Sequence, residues 1–234
     1  MKKYKKKIVL DIETTGINSI LDKNVKKHRI IEIGAVEIIN RKLTNKKFHC
    51  YLNPKREIEE KAFKIHGISN DFLLDKPFFS DISEKFINFI KDSDLIIHNA
   101  SFDINFLEYE LSIMKNKINK INKICNVIDT LIIARNLYPG KKNTLDILCK
   151  RYKIKNFNRN FHSAILDAKI LSELYIRMTR KQKKINFFVE KKKYDLPKKY
   201  KKKFLKNILK LANKSEILLH EKYLKKIKKN KKFL

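Results

Sequence analysis

Apolar residues along the chain fall into two alternating patterns. IVLDIE, residues 8–13, is apolar on both faces of an extended segment, as expected of a short central strand. RIIEIGAVEIINRKL and KKFHCYL follow as two further strands, with a turn between them near Thr44-Asn45. Helical and strand patterns then alternate: SEKFINFIKDS helical, LIIH a strand, ASFDINFLEYELSIM helical, NVIDTL strand-like, NTLDILCKRYKI and HSAILDAKILSELYIRM helical. Three strands followed by this alternation predict an α/β fold, a mixed sheet with helices packed on it.

The pattern weakens after residue 180. KKKYDLPKKYKKK, residues 191–203, has few apolar residues and reads as a solvated linker. Beyond it, apolar residues at 204, 205, 208, 209 and 211, then 217, 218, 219, 224 and 227, fit one or two short amphipathic helices that need a partner surface. The expected division is a domain over 1–180, a basic linker over 181–203 and a tail over 204–234.

Composition sharpens this picture only in part. With 234 residues, 43% of them hydrophobic, the chain can bury a sizeable core, which excludes global disorder. A net charge of +31 suggests an anionic partner, and residues 181–234 hold 21 Lys against four acids. Yet only eight of the 56 basic residues are Arg, and Ile and Asn are abundant, a drift that AT-rich coding produces without selection for binding. Cys50, Cys125 and Cys149 are scattered and odd in number, as free thiols in a reducing compartment would be. The basic start MKKYKKKIVLDIE has its apolar run broken by Asp11, so it reads as neither signal peptide nor membrane helix. A soluble, cytoplasmic protein without a membrane partner is expected.

The acids change the picture most. Asp11 and Glu13, two apart on one strand, point to the same face, where repulsion and desolvation both oppose ionisation. Asp103 opens the helix after LIIH, with Leu107, Leu111 and Met114 behind it on one stripe. Asp167 has Leu171, Leu174 and Met178 behind it, and the small Ala164 and Ala168 would let that helix approach the sheet closely. Each acid alone has a structural explanation: a helix-dipole charge for Asp103, a Lys partner for Asp167. Together they are costly unless a divalent cation joins them, and hard oxygen ligands suit Mg²⁺ or Mn²⁺. His162, five residues before Asp167, is a surface or cap residue if alone and a general base if beside an activated water. His98 reads as structural, and His66 sits in a loop-like stretch with Gly67, within reach of a substrate.

VLDIETTG, IIEIGAVEIINR, HGI, DKP, HNASFD and HSAILDA, in this order, resemble the DEDDh family of 3′–5′ exonucleases, over residues 8 to 180. FLLDKP, IHNASFDI, YPGKKNTLD and CKRY are similar to the family's epsilon branch, the proofreading subunits of bacterial DNA polymerase III. The resemblance implies a ribonuclease H-like fold with a five-stranded mixed sheet. It implies two divalent cations on Asp11, Glu13, Asp103 and Asp167, with Asp11 shared, and His162 as proton acceptor. His66, Asn99 and Phe102 would face the substrate, a frayed or single-stranded DNA 3′ terminus, alongside Asp11, Glu13 and Asp167. Lys61 stands where relatives often carry an acid, so a substrate contact from that position does not transfer.

QKKINF resembles sliding-clamp peptides, with Gln182, Ile185 and Phe187 as anchors, and the segment from about 200 to 230 is similar to the family's tail for the polymerase III alpha subunit. Six residues also match by chance, and a basic helix also binds DNA without specificity. A small theta-like accessory subunit and a place at the nucleoid replisome are further implications. Two other readings stay open: an RNA-trimming enzyme of the same superfamily, and a non-catalytic scaffold between polymerase and clamp.

Overall fold

A computed structural model describes residues 6–17, 27–114, 120–154, 161–180 and 212–230. The chain divides into two compact units, Met1–Gln182 and Lys183–Leu234. In the first unit a five-stranded sheet runs in the order β3-β2-β1-β4-β5. Its strands are β1 (Lys7–Thr14), β2 (Ile30–Ile39), β3 (Lys42–Tyr51), β4 (Asp94–Ile97) and β5 (Asn126–Asp129). β1 pairs antiparallel with β2 and β2 with β3, while β1–β4 and β4–β5 are parallel. The mixed sheet expected from the strand order is therefore present.

The helices are α1 (Glu60–His66), α2 (Asn70–Leu73), α3 (Phe79–Ile90), α4 (Ala100–Ile113), α5 (Thr130–Leu137), α6 (Leu145–Arg151) and α7 (Ala164–Met178). A 3-10 turn spans Ile121–Lys123. Alternation along β1 sorts the two cores. Ile8, Leu10 and Ile12 pack with Phe86 and Ile90 of α3 and Leu107 and Leu111 of α4. Val9 packs instead with Leu148 of α6 and Leu171 and Leu174 of α7. Asp11 and Glu13 share the parity of Val9, so β1 directs them to the α7 face.

Three local expectations need correction. The β2–β3 turn is at Asn40-Arg41, not Thr44-Asn45: both residues have positive φ (51° and 61°), the geometry that matches strand twist in a two-residue hairpin. Arg41 also donates to the Thr179 and Ile176 carbonyls at the end of α7, a cap no local pattern announces. Thr44 lies within β3, its hydroxyl on Glu37 of the neighbouring strand at 3.0 Å. His66 is not in a loop: it ends α1, and Gly67 caps that helix at φ 69°. NVIDTL is half strand, because Asp129 accepts from the Leu131 amide (2.7 Å) and starts α5.

α7 approaches the sheet because Gly34 permits it: a Cβ there would meet the Ala164 carbonyl carbon at 2.2 Å. Gly34 is the register partner of Asp11, so this contact sets the start of α7 beside that acid.

In the second unit α8 (Lys214–Asn230) is capped by Asn213 and Glu216, each accepting from the other's amide at 2.9 and 2.8 Å. Ile217, Leu218, Leu219, Tyr223 and Leu224 are exposed on it. The expected linker, the clamp-like peptide at 182–187 and the apolar positions 204–211 lie outside the described residues.

Candidate active site

β1, α4 and α7 converge on a cavity of about 420 Å³ whose lining includes Asp11, Glu13, Asp103, Asp167 and His162. The four acids arrive by two devices. Asp11 and Glu13 come from alternation on β1. Asp103 lies in the first turn of α4, three residues after that helix begins, and is 4% exposed. Asp167, 2% exposed, lies in the first turn of α7. Leu107, Leu111, Leu171 and Leu174 behind these two are buried, as the stripes predict.

The electrostatics are those of a crowded anion site. Burial, and then the charges of Asp103, Glu13 and Asp167, push the Asp11 carboxyl well above its ordinary range. Burial raises Asp103 likewise; backbone hydrogen bonds from its own amide and Ile12 oppose this, and Glu13 and Asp129 add to it. His162 sets Nδ1 3.1 Å from Asp167 Oδ2. Ligand atoms of Glu13, His162 and Asp167 lie within 4.8 Å of one another. Clustered carboxylate oxygens with one imidazole form a hard donor set, and a divalent cation there would relieve the repulsion that raises Asp11 and Asp103.

The remaining predicted residues divide. Asn99 and Phe102 line this cavity, Asn99 in the left-handed region (φ 66°) just before α4. His66 is 5% exposed and lines a neighbouring cavity of about 350 Å³ with Phe102, Ile17 and Ile65. Its Nδ1 accepts from the Ile68 amide (3.0 Å), and Nε2, near the Thr14 carbonyl, has no well-formed hydrogen bond. Burial lowers its pKa, keeping the ring neutral. His98 also lines the acid cavity, and its ring bridges Thr130 Oγ1 and the Asn143 carbonyl, both at 2.9 Å.

Two acids that position the site escape the sequence reading. Asp129 accepts from the amides of Asn99 and Ala100 at 3.1 Å, so it fixes the start of α4 and thereby Asp103. Glu32, fully buried in β2, accepts from Ser163 Oγ (2.9 Å) and the Ala164 amide (3.0 Å), and its Oε1 meets His49 Nε2 at 2.8 Å. It holds the first turn of α7, hence Asp167. The His162 amide in turn donates to the Ile65 carbonyl of α1 at 3.0 Å. The available signal was an acid inside an otherwise apolar strand, the anomaly that singles out Asp11.

The Exonuclease family (RNase_T) matches residues 8–175. DNA polymerase III subunit epsilon of Buchnera aphidicola subsp. Schizaphis graminum is 55% identical over 231 residues, covering 94% of this chain and 96% of that protein. The Escherichia coli K12 protein of that name is 50% identical over 185 residues, 79% of this chain and 76% of its own. Among solved structures, exonuclease X in complex with 5′ overhanging duplex DNA superposes with a TM-score of 0.57 at 26% identity, over 74% of this chain and 90% of that one. The nuclease domain of 3′hExo, a DEDDh family member bound to rAMP, gives 0.61 over 76% and 92%; at 18% identity that likeness concerns the fold alone.

Proposed function

Because the chain belongs to the Exonuclease (RNase_T) family, and within it to the epsilon subunits of DNA polymerase III, we propose that Asp11, Glu13, Asp103, Asp167 and His162 form its hydrolytic centre. The chain is a 3′–5′ exonuclease of the proofreading kind. The observation that carries the site assignment is the convergence of Asp11, Glu13, Asp103, Asp167 and His162 on one cavity, which Asp146 and His98 also line.

Divalent metal use is a family property, and the four carboxylates would hold two ions, Mg²⁺ or Mn²⁺. When bound, such ions supply positive charge that polarises the scissile phosphate and lowers the pKa of water. The chain's own residues do the rest. Asp167 engages His162 Nδ1, which in that tautomer presents Nε2 to accept the proton of the attacking water. Phe102, between the two cavities, separates the scissile phosphate from the leaving nucleoside, for which Ile17 and Ile65 supply apolar walls. Asn99, Asp11, Glu13 and Asp167 face the substrate from the acid cavity and His66 from the second. A mispaired terminus frays more cheaply and reaches this single-strand site more often, which favours mismatches without recognising them.

The partners extend the same reading. α8, with its exposed apolar residues, is the segment to dock on the polymerase III alpha subunit, and a relative matched over nearly the whole length supports a retained tail. Gln182, Ile185 and Phe187 would meet the sliding clamp, and a theta-like subunit would join the exonuclease domain, 1–180. The linker 181–203 and tail 204–234 complete the division. Among the described residues no helix is long and apolar enough to cross a membrane, compatible with a cytoplasmic, nucleoid-associated replisome.

A 5′-labelled primer–template with a matched or mismatched 3′ end tests the assignment. Shortening that needs Mg²⁺ or Mn²⁺, runs faster on the mismatch and falls about 10²–10⁴-fold in His162→Ala is expected. Trimming of RNA but not DNA by the folded protein would favour the RNA enzyme, and inactivity on both would favour the scaffold.

A further inference from the structure

Among the described residues, one lysine lines the second cavity. Lys61, the second residue of α1, lines it beside the apolar Ile17, Ala62 and Ile65. Its placement opposes local electrostatics, because the first turn of a helix favours anions. Two acids, Glu13 and Glu59, line the same cavity; Glu59 Oε1 also meets His28 Nε2 at 3.1 Å, while Glu60, next to Lys61, pairs with Lys64 at 2.5 Å. Lys61 is exposed and forms no ion pair with another described residue.

The two cavities share Ile12, Glu13 and Phe102, so a single nucleotide can span them. With its 5′ phosphate over the carboxylates, the terminal nucleoside extends between the apolar walls. Its 3′ oxygen then lies one sugar further on, toward α1. A carboxylate at position 61 would repel negative charge there, whereas an ammonium attracts it.

From this arrangement we infer that Lys61 receives a phosphate carried on the 3′ oxygen of the terminal nucleotide, so that the enzyme also removes 3′-phosphorylated ends. The inference rests on the exonuclease reading above. Water attacks the phosphorus joining the last two nucleotides and gives its proton to His162. The bond from that phosphorus to the penultimate 3′ oxygen breaks, and that oxygen takes up a proton. The products are a shortened strand with a 3′ hydroxyl and a nucleoside 3′,5′-bisphosphate in place of the 5′-monophosphate.

The test uses the full chain with Mg²⁺ and two single strands that differ only in a 3′ hydroxyl or a 3′ phosphate, with the released nucleotide identified by mass. Wild type is expected to release the bisphosphate with kcat/KM within about tenfold of the hydroxyl strand. Lys61→Glu should lower the phosphate-to-hydroxyl ratio by about fivefold and Lys61→Gln by less, the size of one exposed charge contact. If the hydroxyl strand is shortened and the phosphate strand is not, the inference falls and the exonuclease reading stands. Equal slowing of both strands by Lys61→Glu also overturns it, since Lys61 would then serve a feature common to both. If neither strand is shortened, the underlying exonuclease reading fails first.

Discussion

Two groups of buried or half-buried carboxylates sit in one sheet-and-helix framework and are treated in opposite ways. Glu32 and Glu110, at 0% and 2% exposure, have their oxygens met by the chain itself. Arg29 donates to Glu110 through Nε and Nη2, both at 2.7 Å, and the Ile30 amide adds a third bond at 3.3 Å. Glu32 is enclosed by Ser163, His49 and the Ala164 amide. Asp11 and Asp103 instead face further acids, and their carboxyls rise in pKa. The fold is able to satisfy a buried acid from within. Where it gathers acids against one another, the balancing charge must come from outside.

The sharpest way to break this contrast is to neutralise one acid in each group. Asp103→Asn should lower kcat by at least about 10²–10³-fold, the cost of one lost electrostatic contact in the transition state. The same change should raise the Tm of the metal-free protein, because it removes repulsion. The pH dependence has a defined sign. An acid with a raised folded pKa holds its proton in the folded state over a range where the unfolded chain, at 3.8, has lost it. Stability of the metal-free protein therefore falls as pH rises from 3.8 through the folded pKa, and Asp103→Asn should flatten that fall. Thermal melts in EDTA across this range check it; a destabilised variant would place Asp103 with the satisfied group.

Glu110→Ala should do the reverse. Removing the carboxylate leaves the Arg29 guanidinium in a half-buried site, at a cost of about 3 kcal/mol, the low end for a broken buried pair because Arg29 keeps some solvent. Activity per folded molecule should stay within a few-fold. Urea unfolding beside primer shortening separates the two quantities.

This contrast also marks what was legible from sequence. The period of two put Asp11 and Glu13 on one face, and the helical stripes put Asp103 and Asp167 inward, because such signals lie within a few residues of each acid. Glu32 and Glu110 depend on partners 131 and 81 positions away, and no local pattern encodes those pairs. The short α1 and α2 hold too few residues to show a period, and their caps, Gly67 and Ser69, are the only local trace. The Asn40-Arg41 turn was hidden because Arg41 is an unusual left-handed residue, held there by the end of α7 rather than by turn propensity.

A divalent cation should act on one group only. Mg²⁺ or Mn²⁺ at about 100 times its dissociation constant should stabilise the wild type by about 2.7 kcal/mol through linkage. Asp103→Asn should lose most of that gain, and Glu110→Ala should keep it despite its lower starting Tm. Melts with and without the cation give all three values. An equal gain in all three proteins would mean that the ion binds elsewhere.

Ser163→Ala gives the smallest effect and joins the two groups. Ser163 Oγ donates to Glu32 Oε1, which retains His49 Nε2, while Oε2 keeps the Ala164 amide. Losing one such bond should cost about 1–2 kcal/mol, above the value for a neutral pair because the acceptor is a buried charge. The substitution sits between His162 and the first turn of α7, so it loosens the segment that aims Asp167. A fall in kcat of a few-fold with KM little changed is expected, since binding surfaces on α1 and β1 are untouched. If stability falls and kcat does not, Glu32 holds the helix without aiming the acid, and the satisfied and repelling groups are independent.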